Sequence, residues 1–110
     1  MTDKIAVLTT CGSEEEARRI ARGLVEARLA ACVAAGPGTV SVYRWKGALE
    51  ESKEWSLLIK TRRDLFPALC EEIRRLHSYE TPEILALQII DGAADYLQWM
   101  DDELRPAEAK

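Results

Sequence analysis

Thr39-Val40-Ser41-Val42-Tyr43-Arg44-Trp45-Lys46-Gly47 is the stretch on which the reading of the fold turns. Val40 and Val42 alternate with Thr39, Ser41, Tyr43 and Trp45 at the period of a strand, and Lys46-Gly47 marks a reversal. Past the polar segment Glu50 to Lys53, Trp55, Leu57 and Ile59 alternate with Ser56, Leu58 and Lys60 in the returning strand. Together they predict a hairpin from Val40 to Ile59, longer than the usual strand of about 5–6 residues. Two of the three tryptophans stand on it, so part of it is expected to project beyond the protein's own sheet and to meet a partner.

Upstream, Ala31-Cys32-Val33 enters that strand, and Gly36-Pro37-Gly38 bends or bulges it. Ile5-Ala6-Val7-Leu8, ended by Cys11-Gly12, reads as a central strand covered on both faces. Ser13 with Glu16 forms a capping box in which each side chain satisfies the other residue's free amide. Ala17, Ile20, Ala21, Leu24, Val25 and Leu29 then make the apolar stripe of a helix, with Arg18, Arg19, Arg22 and Glu26 on its solvated side. Downstream, Asp64 caps a second helix, Pro67 fits its first turn, and Phe66, Leu69, Cys70, Ile73 and Leu76 form its stripe. Ile84 to Ile90 make a fourth strand. Asp95 to Leu104 make a last helix, with Tyr96, Leu97 and Met100 as its apolar contacts, ahead of a polar tail from Arg105 to Lys110. The order β-α-β-β-α-β plus a terminal helix is α+β and ferredoxin-like, a four-stranded antiparallel sheet with two helices on one face. Only the last helix remains to cover the other face, so self-association is expected.

All of this fits one domain, residues 1–110. An apolar content of 47% with 31% charged residues belongs to a folded chain. A net charge of -4 without a basic block argues against a nucleic-acid partner. The longest apolar run, Leu29 to Ala35, falls far short of the roughly 20 residues that span a membrane, so no membrane partner is expected. Met1-Thr2-Asp3-Lys4 lacks the pattern of a secretory signal, which predicts a cytoplasmic location. Cys11, Cys32 and Cys70 are odd in number and widely spaced, which points to reduced thiols rather than to disulfides or a Cys-x-x-Cys clamp.

His77 is the only histidine, and there is no Gly-x-Ser-x-Gly elbow, phosphate loop or dinucleotide fingerprint, so no enzyme activity is expected. The chemically dense segment is His77-Ser78-Tyr79-Glu80-Thr81-Pro82-Glu83. Two readings of it stand side by side. In one, His77, Glu80 and Glu83 offer imidazole and carboxylate to a divalent cation such as copper or zinc, with another subunit completing the shell. In the other, Tyr79 packs, Glu83 caps or pairs with a base, and His77 is a hydrogen-bonded surface histidine. Cys11 precedes a helix N-terminus, whose polarity favours a thiolate, and is the foremost thiol candidate, whereas Cys32 and Cys70 read as core. Lys60 is either an anion-facing, carboxylate-pairing group or an exposed strand end.

Five blocks in order, Leu29-Ala30-Ala31-Cys32-Val33, Tyr43-Arg44-Trp45-Lys46-Gly47, Leu58-Ile59-Lys60-Thr61, His77 to Ile84 and Asp95-Tyr96-Leu97-Gln98-Trp99, resemble the CutA divalent-cation tolerance family over nearly the whole chain. The resemblance implies a ferredoxin-like homotrimer similar to PII-type signalling proteins, with hairpins pairing between subunits and clefts at their interfaces. It also implies tolerance of divalent metals, copper being bound by some members. Carried over by position, His77 is the expected copper ligand, helped by Glu80, Glu83 or Cys11. A copper-binding member has a cysteine where this chain has Thr9 and a second histidine where it has Leu76; Cys11 lies two residues along on the same strand face. The expectation is therefore a non-enzymatic, homotrimeric divalent-cation tolerance protein. Its alternative is a PII-like signalling or scaffold protein that binds a small anionic ligand in an intersubunit cleft lined by Trp45, Lys60, Tyr79 and Glu83.

Overall fold

The structure is a computed structural model and describes residues 1–106. Its elements run β1 (Lys4–Cys11), α1 (Glu14–Glu26), β2 (Cys32–Trp45), β3 (Ala48–Arg62), α2 (Phe66–Leu76), β4 (Leu85–Gln88) and α3 (Ala94–Glu103). The sheet order is β2-β3-β1-β4 with every neighbour antiparallel, which is the expected ferredoxin-like plan. Among the described residues, no helix is long and apolar enough to cross a membrane.

Register divides the sheet into two faces, because neighbouring residues of a strand point to opposite sides. Ile5 opposes Thr61, Val7 opposes Ile59, and Thr9 opposes Leu57, so these six share one face. Ala17, Ile20 and Leu24 of α1 and Leu69 and Ile73 of α2 are buried with them in one core. Each large side chain so buried contributes about 1.5–3 kcal/mol. Ala6, Leu8 and Thr10 of β1, Ser56, Leu58 and Lys60 of β3, and Leu85 and Leu87 of β4 point the other way. α3 covers only one end of that second face. There Asp101 takes Lys4 at 3.2 Å and Arg62 at 3.1 Å, while Met100 and Leu104 are buried.

Several local expectations give way to tertiary demands. α1 ends at Glu26; Arg28 turns the chain with φ 57, and Leu29 reaches the core from beyond the helix, its amide bonded to Leu24 O at 3.0 Å. Only half of the capping box forms: Ser13 Oγ accepts from the Glu16 amide at 3.2 Å, but the Glu16 carboxylate leaves for Ser78. Asp64 is not the cap of α2. A single 3-10 turn, Arg63–Leu65, precedes that helix, and Asp64 instead holds the buried Arg62 guanidinium at 2.6 Å. β4 is shorter than Ile84 to Ile90, since Gln88 ends the ladder and Ile89 bonds Lys4 O separately. Cys32 and Cys70 are half-buried rather than core, and Trp55 packs on the chain's own core. In α3, Met100 is buried and Leu97 packs against the core, but Tyr96 is exposed. Arg105 is not part of a free tail, as its amide bonds Arg28 O at 2.9 Å; the expected tail beyond residue 106 lies outside the described residues.

The hairpin outruns the core. Gly38, at φ 94, accompanies a register shift between Gly36 and Thr39, after which Thr39 to Trp45 pairs with Ala48 to Glu54 as a projecting arm. The arm closes with Trp45 opposite Ala48 and two left-handed residues between them, Lys46 at φ 49 and Gly47 at φ 83. A two-residue turn of this hand matches the twist of the strands it joins. Gly47→Ala should therefore lower stability by about 1–2 kcal/mol, read as a reduced urea midpoint, whereas Lys46→Asn should leave the midpoint unchanged or raise it.

Candidate functional site

The site is built on the His77–Glu83 loop, and the loop is fastened from below. At the C-terminal end of α2, His77 turns to extended backbone, φ -86 and ψ 144, and sends its ring under the sheet end. Nε2 lies 2.7 Å from Thr10 O and Nδ1 accepts the Tyr79 amide at 3.0 Å, so the ring is held as the Nε2–H tautomer. The Glu16 carboxylate accepts the Ser78 amide at 2.8 Å and the Ser78 hydroxyl at 3.0 Å, and stands 3.4 Å from Nδ1. Burial by itself would push the Glu16 carboxyl up, but the Ser78 bonds, the His77 ring and the Gly12 amide outweigh it and hold it below the usual carboxylate range.

So anchored, Tyr79 tilts against the His77 ring, centroids 4.6 Å apart, and donates its hydroxyl to Glu54 Oε2 at 2.6 Å. Burial first, then the hydrogen bond to Glu54 and its charge, push the Tyr79 phenol well above its ordinary value, so it stays a donor. Between this loop and the projecting arm opens a cleft of about 580 Å³ lined by Thr10, Ser41, Val42, Tyr43, Trp45, Glu54, Tyr79, Glu80, Thr81 and Glu83. Its walls carry three aromatic rings and three carboxylates, and no Lys, Arg or His is among the lining residues. Lys46 stands at the rim, 3.9 Å from Glu80.

Of the expected cleft residues, Trp45, Tyr79 and Glu83 come together and Lys60 does not. Lys60 opposes Ala6 and Cys32 at the other end of the face, where its ammonium lies 3.3 Å from the Tyr96 hydroxyl. The expected metal set is dispersed as well. Glu80 and Glu83 line the cleft, His77 lies beneath it with both ring nitrogens engaged, and Cys11 is fully buried with Sγ bonded to Ser13 O at 3.5 Å. Burial pushes the Cys11 thiol up, which corrects the expectation of a thiolate at the helix N-terminus. Among the described residues, no group of three or more His, Cys, Asp or Glu side chains could hold a metal ion. Sequence reasoning missed Glu54 and Glu16. Glu54 shares strand parity with Ser56 and Leu58, which places it on the open face, but the partnership of Glu16 with Ser78 left no local signal.

The class of protein is thus set: a ferredoxin-like α+β domain with an over-long hairpin whose arm, with the loop between α2 and β4, encloses an acidic, aromatic cleft. A family model described as CutA1 divalent ion tolerance protein matches residues 5–103. The Divalent-cation tolerance protein CutA of Thermus thermophilus is 52% identical over 94 residues, 86% of this chain and 91% of that protein. Human Protein CutA is 46% identical over 95 residues, which are 86% of this chain but 53% of that longer one. The crystal structure of CutA from Xylella fastidiosa superposes with a TM-score of 0.92 at 40% identity, covering 94% of this chain and 100% of the other. The chain belongs to the CutA1 divalent ion tolerance family.

Two outcomes follow from the clasp under the loop. Tyr79→Phe removes a hydrogen bond to a buried carboxylate and should cost about 1.5–3 kcal/mol in urea unfolding; a double-mutant cycle with Glu54→Gln should show the two losses to be less than additive. Because the Glu16 carboxyl is held low in the folded chain, its stabilisation is present above the ordinary carboxylate range, near about pH 4.3, and is lost as pH falls through the lower folded value. Glu16→Gln should accordingly be less stable than the parent at pH 7, with the difference shrinking as the solution is acidified toward pH ~3.

Proposed function

We propose that the chain works as a homotrimer in divalent-cation tolerance, binding divalent ions such as copper without catalysing a reaction. The observation that carries the assembly is the uncovered half of the second sheet face together with two unpaired outer strands. Leu85, Leu87 and Ile90 are 56%, 52% and 71% exposed, and Val40 and Leu49 on the arm are 55% and 69% exposed. β2 and β4 are the two ends of the sheet, and each presents a free row of amides and carbonyls. Pairing of these unlike edges is head-to-tail, which a two-fold axis cannot close and a ring can. Three is the ring size that the resemblance to PII-type proteins implies.

The ion reading is supported by the family membership and by the charge of the cleft. Glu54, Glu80 and Glu83 without a basic partner in the lining favour a cation over a small anion, so the alternative of an anionic ligand loses its main support within one chain. His77 and Glu16 are the adjacent imidazole–carboxylate pair, and copper at Nδ1 would displace the Tyr79 amide. A site so short of ligands needs a neighbouring chain to reach high affinity.

Light scattering should give three times 12.3 kDa, and Leu87→Asp, placing a charge on the uncovered face, should shift the mass toward one chain. A monomeric parent at micromolar concentration would overturn the assembly. For the ion, calorimetric titration of copper into the parent and into His77→Ala, with trimer confirmed in both, should show at least about tenfold weaker binding in the variant, as for loss of one ligand from a sparse shell; equal affinity removes His77 from the site.

A further inference from the structure

We propose that α3 is a detachable strap across one end of the open sheet face, and that Asp101 is the latch that holds it down. The device lies within a single chain, away from the arm and the His77–Glu83 loop, and does not depend on binding of a divalent ion. Three observations lead to it.

The first is that α3 is poorly specified by its own sequence. It has only 10 residues, a length at which an isolated helix is marginal in water. Ala93, at its N-cap, offers no side chain to the free amides, and its last turn carries Asp101, Asp102 and Glu103 with no basic residue. Carboxylates at that end oppose the helix dipole. α3 therefore depends on its docking, and the apolar part of that docking is small: Met100 and Leu104 are buried, and Leu97 is partly buried against the core.

The second is where the charge of Asp101 goes. Its Oδ2 accepts from Lys4 Nζ at 3.2 Å, and its Oδ1 accepts from the Arg62 guanidinium at 3.1 Å. Lys4 and Arg62 are 4% and 5% exposed, so these are charge-assisted hydrogen bonds from buried cations. Among the described residues, Asp101 is the only carboxylate of α3 that forms an ion pair with the sheet. Asp102 accepts from Gln98 within the helix. The other charged groups at this end are Lys60, which donates to the Tyr96 hydroxyl, Arg28, which donates to Glu103 O, and Arg105, which donates to Ala27 O.

The third is that the sheet can give Asp101 up. Lys4 keeps Asp3 at 2.5 Å and Arg62 keeps Asp64 at 2.6 Å, so neither buried cation is left without a carboxylate when α3 lifts. The strap also has a pivot, since Asp91-Gly92 precedes α3 outside any helix or strand. Its far end is tied by Arg105, whose amide bonds Arg28 O at 2.9 Å and whose carbonyl accepts from Arg62 at 2.6 Å. Release is then a local opening that needs less free energy than unfolding of the core. It uncovers Lys4, Lys60 and Arg62 and makes that end of the face more positive.

The test is hydrogen exchange of the whole chain in its native state of assembly, read by mass spectrometry at about pH 7 in the parent, Asp101→Asn and Asp102→Asn. Asp101→Asn should speed exchange of the α3 amides, Leu97 to Leu104, at least about tenfold, as for loss of two charge-assisted hydrogen bonds, while β1, β3 and α1 keep the parent's protection. Asp102→Asn should leave α3 unchanged, and Asp101→Glu should restore part of the protection. Burial pushes the Asp101 carboxyl up, but Arg62 and Lys4 outweigh it and hold it below the usual range. Its contribution is therefore present above about pH 3.9 and is lost as pH falls through the lower folded value. Protection of α3 relative to β1, corrected for intrinsic exchange, should fall in the parent on acidification toward pH ~3, and fall less in Asp101→Asn. The proposal is overturned if Asp101→Asn protects α3 as the parent does, if β1 and β3 lose protection together with α3, or if the variant does not fold. Light scattering separates the latch from assembly: an unchanged mass with α3 deprotected supports the latch, whereas a smaller mass with α3 still protected puts Asp101 in a subunit contact and overturns it.

Discussion

Everything else in the molecule hangs on β3, a strand that serves two structures at once. Along its inner half it pairs with β1 on one side and β2 on the other, and Leu57, Ile59 and Thr61 are buried against the two large helices. Along its outer half only β2 remains, and Ala48 to Glu54 leave the core altogether. One continuous ladder therefore carries rigidity from a packed interior to an arm with no interior of its own. The molecule measures 45 Å along its long axis against 25 and 24 Å across, and the arm accounts for that asymmetry. Strand alternation continues through β3 without a break, so Glu54 is aimed to the open face by the same periodicity that aims Leu57 to the core.

What turns this geometry into a site is a loop pinned by buried polar groups rather than by apolar packing. His77, Glu16 and Ser78 form a connected set in which each hydrogen-bonding group finds a partner, the condition under which burying polar atoms is tolerated. The set joins the start of α1 to the end of α2 and leaves Tyr79 over the sheet edge. The same histidine that looks, by residue type, like a ligand has both ring nitrogens engaged in this geometry and fixes the backbone from which Tyr79 reaches the cleft. The cleft's acidity follows from which strand face it occupies, since the positive residues Lys4, Lys60 and Arg62 of that face lie at its opposite end, gathered under α3.

That separation of charge also explains the unequal cover of the open face. Lys4 and Arg62 are both buried and both need a carboxylate, and Asp101 of α3 serves the two together. α3 is thereby fixed at one end of the sheet, with its own carboxyl held below the usual range by the two cations despite the opposing effect of burial. Leu85 and Leu87 remain outside its reach. An exposed apolar surface of that kind is where the proposed assembly would make its contact.

The strands and helices, their order and most of the core were legible in the sequence because each rests on a short-range period: two for Val40 to Ile59, about 3.6 for Ala17 to Leu24 and Phe66 to Leu76. The chemically dense loop could also be found, since an imidazole, a phenol and two carboxylates crowd into His77 to Glu83. Which of those groups face a ligand could not be found there. Cys11 and His77 have the chemistry of ligands, yet one is sealed in the core and the other has both nitrogens spent on Thr10 and Tyr79. Lys60 and Glu54 sit at opposite ends of one strand face, so within one chain Glu54 lines the cleft and Lys60 does not, and the distance between those ends is set by where the arm begins. Local periodicity determined the elements; the cleft was decided by contacts between residues far apart in the chain, Glu16 with Ser78 and Glu54 with Tyr79, whose pairing depends on long-range hydrogen bonds that no local pattern records.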